Sequence, residues 1–145
     1  MSNDNLDPLR LENQLCFPLY AASREIIKRY RPFLDELELT YTQYITMMVF
    51  WQKGSISVKQ LGQILYLDSG TLTPVLKHLE SKKYITRSRC PEDERVLIAK
   101  IAPEGVALKK RAASVPGNIS CCIKLDEEER KTLYSLLYKL LDGCE

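Results

Sequence analysis

A mainly helical fold carrying one small β element is predicted by three observations. Apolar residues recur at helical spacing through most of the 145 residues. Two short helical patterns meet at a polar corner, Leu67-Asp68-Ser69-Gly70-Thr71. Just beyond, two β-rich runs at residues 84–89 and 96–101 flank the turn-rich Cys90-Pro91-Glu92-Asp93-Glu94-Arg95.

The apolar fraction of 45% is enough for one sizeable core in a chain of this length, so residues 9–145 read as a single domain behind a polar tail at residues 1–8. No stretch approaches the roughly 20 apolar residues of a membrane span, and the first residues lack the blocks of a signal peptide. A cytoplasmic protein is expected. There the five cysteines, Cys16, Cys90, Cys121, Cys122 and Cys144, would be mainly reduced rather than form a disulfide framework. An odd number of cysteines at irregular spacing, with one histidine, is a poor zinc set, and no phosphate-cradling glycine loop is present. No metal and no cofactor are expected.

The first helix is expected over residues 9–31, where Leu15, Leu19, Ala22 and Ile26 share one stripe. Pro32 should end it, because the proline ring disfavours helical geometry at Arg31. Pro18 should kink it or free the carbonyl of Gln14. A second helix, residues 41–52, is dense in Ile45, Met48, Val49 and Trp51, and Lys53-Gly54 stops it. Val58, Leu61 and Leu65 then line a short helix. After the polar corner, Leu72, Val75, Leu76 and Leu79 line another, and two short helices around a tight turn form a helix-turn-helix. The two strands that follow make a β-hairpin wing, which completes a winged helix-turn-helix over residues 55–101.

The opposite face of the second short helix carries Gly70, Thr73, Pro74, Lys77, His78 and Ser81, small and polar where bases would be approached, and Ser69, Thr71, Thr73, Pro74, Lys77 and His78 are the candidate DNA contacts. Between Lys77 and Arg89 five basic residues accompany one acid, Glu80. Net charge is only +2, so this positive character is local and coincides with the expected recognition helix and wing. Beyond Pro103 a helix through Val106, Leu108 and Lys109 runs toward a break at Pro116-Gly117. Asp126-Glu127-Glu128-Glu129 opens a last helix, its acids placed where the helix dipole favours them. Leu133, Leu136, Leu137, Leu140 and Leu141 give that helix a broad apolar stripe. The flanking segments, residues 9–52 and 103–142, hold more apolar face than a compact winged module needs. A homodimer is expected from them, and it suits a palindromic operator in double-stranded DNA.

This order of elements resembles the MarR family of bacterial repressors. Within it, Leu-Glu-Asn-Gln-Leu-Cys-Phe around Cys16, Leu39-Thr40-Tyr41-Thr42-Gln43-Tyr44, Tyr66-Leu67-Asp68-Ser69-Gly70-Thr71-Leu72-Thr73-Pro74 and Asp93-Glu94-Arg95 are similar to the organic-hydroperoxide-resistance repressors. The related staphylococcal thiol-based regulators share much of the pattern. The resemblance implies that Cys16 is a redox-sensing thiol oxidised by an organic hydroperoxide to a sulfenic acid, and that Tyr30 and Tyr41, joined by Tyr20, hold its thiolate by hydrogen bonds. On a continuous helix, Cys16 and Tyr30 are separated by roughly 21 Å along the axis, so Tyr30 reaches a thiol only across a dimer.

The sulfenic acid would then be resolved by Cys121 or Cys122, which fall near the family's second cysteine without matching it residue by residue, or by a small cellular thiol. Cys90 and Cys144 read as incidental. The resemblance also places Arg95, oriented by Asp93, in the minor groove, and sets Arg87 and Arg89 on phosphates. Two other readings stay open. One is a repressor released by a small aromatic ligand, with Cys16 a core residue, as a free cysteine commonly is. The other is a thiol peroxidase, although no Cys-activating loop is seen and a one-time sensor rather than an enzyme fits the DNA module better.

Overall fold

The computed structural model of the chain describes residues 7–144, so most of the tail expected at residues 1–8 lies outside the described residues. The described chain forms two compact units divided between Val115 and Pro116. In the first, a single 3-10 turn (Leu11–Asn13) precedes α1 (Cys16–Asp35), followed by α2 (Tyr41–Lys53), β1 (Ser55–Ser57), α3 (Val58–Leu65), α4 (Ser69–Ser81), β2 (Ile85–Arg89), β3 (Leu97–Ile101) and α5 (Pro103–Ala112). The short α6 (Val115–Ser120) begins at the division, and α7 (Glu127–Asp142) fills most of the second unit.

The winged module forms as expected and gains a third strand. β1 pairs antiparallel with β3 through Ile56 opposite Ala99, so the sheet order is β1-β3-β2. Three residues between two helices are too few to show a two-residue period. Thr40 opens α2 with a reciprocal capping box to Gln43, and Gly54 closes it at φ 75°. Ser57 and Asp68 accept from the amides of Gln60 and Thr71 and so open α3 and α4. The core lies where these helices meet the sheet: Met47, Phe50, Leu61, Leu79 and Ala99 are fully buried.

The prolines fall differently from the expectation. The first helix begins at Cys16 rather than at residue 9, so Pro18 is its third residue. An amide there has no partner inside the helix, and Pro18 therefore costs no hydrogen bond and imposes no kink. Pro32 does not end the helix, which runs on to Asp35. An interior proline disfavours a helix by about 3 kcal/mol. Burying Leu34, 2% exposed, offsets much of that. Pro116-Gly117 is no break either: the chain turns at Ala113-Ser114, and the pair lies in the first turn of α6.

In the second unit, Asp126 and Glu129 cap the start of α7 with a reciprocal box, as the run of acids foreshadowed. Arg130 clamps the preceding turn to that helix. Its guanidinium donates to the carbonyls of Leu125, Ser120 and Ile123 and to the Ser120 hydroxyl, at 2.8–2.9 Å. Leu133, Leu136 and Leu140 stay about half exposed. Among the described residues, no helix is long and apolar enough to cross a membrane.

Candidate functional site

Cys16 is the first residue of α1 and is exposed, so it is not a core residue of its own unit. Leu15, which precedes it, offers no side-chain cap, and the first amides of α1 face an open end where an anion is welcome. Tyr20 follows one turn later on the same face, 58% exposed, with Arg24 donating to its hydroxyl at 3.2 Å and stacking over its ring. Fourteen residues along the unbroken helix, Tyr30 lies roughly 21 Å from Cys16. The two do not meet within one chain.

Tyr30 and Tyr41 do meet. Residues 36–40 turn α2 back against α1, and the two rings lie 4.9 Å apart, tilted by 56°. Tyr20 is not part of this cluster, but Tyr44 is: its ring centroid lies 5.9 Å from that of Tyr30 and 6.4 Å from that of Tyr41. Sequence reasoning passed over Tyr44, although its i, i+3 spacing from Tyr41 on one helical face was available. Burial, with the neighbouring phenols Tyr41 and Tyr44 adding to it, pushes Tyr30 up to about 12. Burial also raises Tyr41. These phenols stay protonated at neutral pH, the form in which a phenol can donate a hydrogen bond.

Cys121 is exposed in the turn after α6, whereas Cys122 is half-buried with its thiol 3.5 Å from the Asn118 carbonyl. Cys90 closes the wing through its amide, which donates to Val96 at 2.8 Å, and Cys144 is exposed past α7.

The expected recognition helix is α4. Ser69, Thr71, Pro74 and Lys77 are exposed along it, while Thr73 is half-buried and turns its hydroxyl proton back to the Ser69 carbonyl at 2.7 Å. His78 departs from the expected role: its Nε2 is buried and has no hydrogen-bond partner among the described residues. Arg87 departs as well. Its guanidinium forms two hydrogen bonds of 3.2 Å with Glu80, and its side chain is only 19% exposed. That pair braces β2 against α4 and leaves Arg89, exposed at the strand end, as the open cation of the two. At the wing tip Arg95 is 91% exposed, yet held by Asp93 through Nε at 3.1 Å and a second nitrogen at 3.4 Å. The same carboxylate accepts the Arg95 amide, and these side-chain and backbone bonds hold Asp93 below the usual carboxylate range.

Comparison with known proteins matches the chain to transcriptional regulators. The family model for SarA/Rot transcriptional regulators matches residues 27–111. The organic hydroperoxide resistance transcriptional regulator of Bacillus subtilis is 47% identical over 139 residues, covering 96% of this chain and 95% of the relative. The regulator SarZ of Staphylococcus aureus is 40% identical over 127 residues, 88% of this chain and 86% of its own. Among solved structures, reduced AbfR bound to DNA superposes with a TM-score of 0.78 at 32% identity, covering 99% of this chain and 100% of that one.

Proposed function

The chain belongs to the SarA/Rot type of MarR-like transcriptional regulators, in the branch of organic hydroperoxide resistance regulators, and on that premise we propose that it is a dimeric repressor that releases its operator when Cys16 is oxidised. The observation that carries this reading is the geometry of α1: an exposed thiol begins the helix, and a pair of protonated phenols sits near its far end. In an antiparallel pairing of two such helices each thiol meets the other subunit's phenols. Phe17, Leu19, Ile26 and Ile27 are exposed along α1 and supply apolar surface for that pairing.

The thiolate, not the thiol, is the nucleophile. It attacks the outer oxygen of the hydroperoxide, a sulfur–oxygen bond forms, the oxygen–oxygen bond breaks, and the departing alkoxide takes a proton and leaves as the alcohol. The resulting sulfenic acid condenses with Cys121, Cys122 or a small cellular thiol, losing water. Of the two cysteines, exposed Cys121 is the more open to it. On DNA, α4 enters the major groove through Ser69, Thr71, Thr73 and Pro74, Arg95 reaches the minor groove, and Lys77 and Arg89 meet phosphate. Arg87 supports this surface through Glu80 rather than touching DNA. Such a protein works in the cytoplasm, where its DNA is, and reacts once per oxidation rather than turning over.

The test is Cys16→Ser, whose hydroxyl keeps the size and cannot be oxidised. On a duplex selected from a random pool by the reduced protein, the variant should bind as the parent does and stay bound when cumene hydroperoxide is added. Release of the variant by the oxidant would remove Cys16 from the sensor.

A further inference from the structure

Tyr44 is 3% exposed and lies one turn beyond Tyr41 on α2, with its ring against both sensor phenols. Its other side meets Trp51 edge-on, centroids 6.4 Å apart and planes at 69°. Trp51 is itself fixed, because its indole N–H donates to the Gly105 carbonyl on α5 at 2.8 Å. A ring anchored from behind thus stands against two rings contributed by different helices. Aromatic contacts of this kind prefer particular tilts, so the third ring restricts the tilts open to the other two.

We propose that Tyr44 is a positioning residue of the sensor: its ring, held by Trp51, fixes the angle at which Tyr30 and Tyr41 present their hydroxyls to Cys16 of the partner subunit. This rests on the sensing reading above. Tyr44 acts through its ring and does not touch the sulfur. Burial together with the neighbouring Tyr41 raises Tyr44 as well, so the cluster carries no phenolate that would repel a thiolate at neutral pH.

The test follows the Cys16 peptide of the full-length protein by mass spectrometry, measuring its oxidation rate by cumene hydroperoxide and the pH profile of its alkylation. Tyr44→Phe keeps the ring and should match the parent within about twofold in both readouts, since a ring in place preserves alignment. Tyr44→Leu should slow oxidation roughly tenfold and move the alkylation profile to higher pH, because misaligned donors hold the thiolate less well. Binding of the reduced variant to the selected duplex should stay as in the parent, a result that also shows it folded. Tyr44→Met, which fills the site without planarity, serves in its place if the leucine variant fails to fold.

Parent-like rates and profiles in the leucine or methionine variant would overturn the proposal, and so would equal slowing in Tyr44→Phe, which would put the effect in the hydroxyl. Tyr30→Phe and Tyr41→Phe separate the two levels. If they slow Cys16 and Tyr44→Leu does not, only the positioning role fails. If they too leave Cys16 unchanged, the sensing reading fails and takes the positioning role with it.

Discussion

Asp93 and Arg95 divide one task between them, the acid ordering a side chain that the cation alone would leave free in solvent. A guanidinium so presented suits a narrow minor groove, where the potential is strongly negative. Arg95→Ala should therefore weaken binding to the selected duplex by about ten- to a hundredfold and binding to random duplex far less. Lys77→Ala should weaken both alike and lower the salt slope by about one counterion, as loss of a phosphate contact does. Titrations of both variants at several salt concentrations decide it; equal losses for Arg95→Ala on the two duplexes would place that residue on phosphate. The wing pair was readable in the sequence through the family resemblance, because both partners lie within the one short motif Asp93-Glu94-Arg95. Arg87 was not, because its partner Glu80 is brought to it by the turn from α4 into β2. Tyr44 was missed for the same kind of reason: Tyr30, which gives it meaning, comes from another helix.

At the scale of elements, periodicity was legible and proline positions were not. The polar corner around Asp68 and the acids from Asp126 announce their helices by local chemistry, whereas the effect of Pro32 depends on burial of Leu34 two residues later. The cap on α4 has a pH signature. The Thr71 amide, with the Thr71 hydroxyl and the Gly70 amide adding to it, holds the Asp68 carboxyl below the usual carboxylate range. A carboxyl lowered in the folded state stabilises fully above its unfolded pKa, and that contribution is lost as pH falls through the folded one. Asp68→Asn keeps a capping oxygen without the charge. Its urea midpoint should match the parent's in acid, lie below it at neutral pH, and fall less steeply on acidification; an unchanged slope would mean the cap does not depend on charge. Gly105 marks a second constraint. A Cβ there would stand 2.2 Å from the Tyr84 carbonyl, where the chain enters β2, and Gly105 also receives the Trp51 indole. Gly105→Ala should destabilise by about 1–3 kcal/mol in urea unfolding and alter the emission of Trp51, the one tryptophan of the chain.

For the whole molecule, the winged fold was legible because periodicity, turn chemistry and charge agree over one stretch of chain, and the family because four separate motifs match it. The end of α5 was misplaced by a few residues, since the turn at Ala113-Ser114 carries neither proline nor glycine and Pro116-Gly117 drew the expected break past it. The length of α1 has one more consequence, which is genetic. Its 20 residues run without interruption from Cys16 past Tyr30, a span of about 30 Å. A Cys16→Ser subunit has lost the thiol and kept the phenols, while a Tyr30→Phe subunit has kept the thiol and lost a phenol. Each homodimer is therefore defective at both sites. Their heterodimer, isolated through two different affinity tags, holds one site with both defects and one with none. Complementation is expected: one thiol per heterodimer should react with cumene hydroperoxide at the parental rate, a rate neither homodimer reaches. A heterodimer as slow as the Tyr30→Phe homodimer would mean that each chain builds its own sensor, against the distance that α1 imposes.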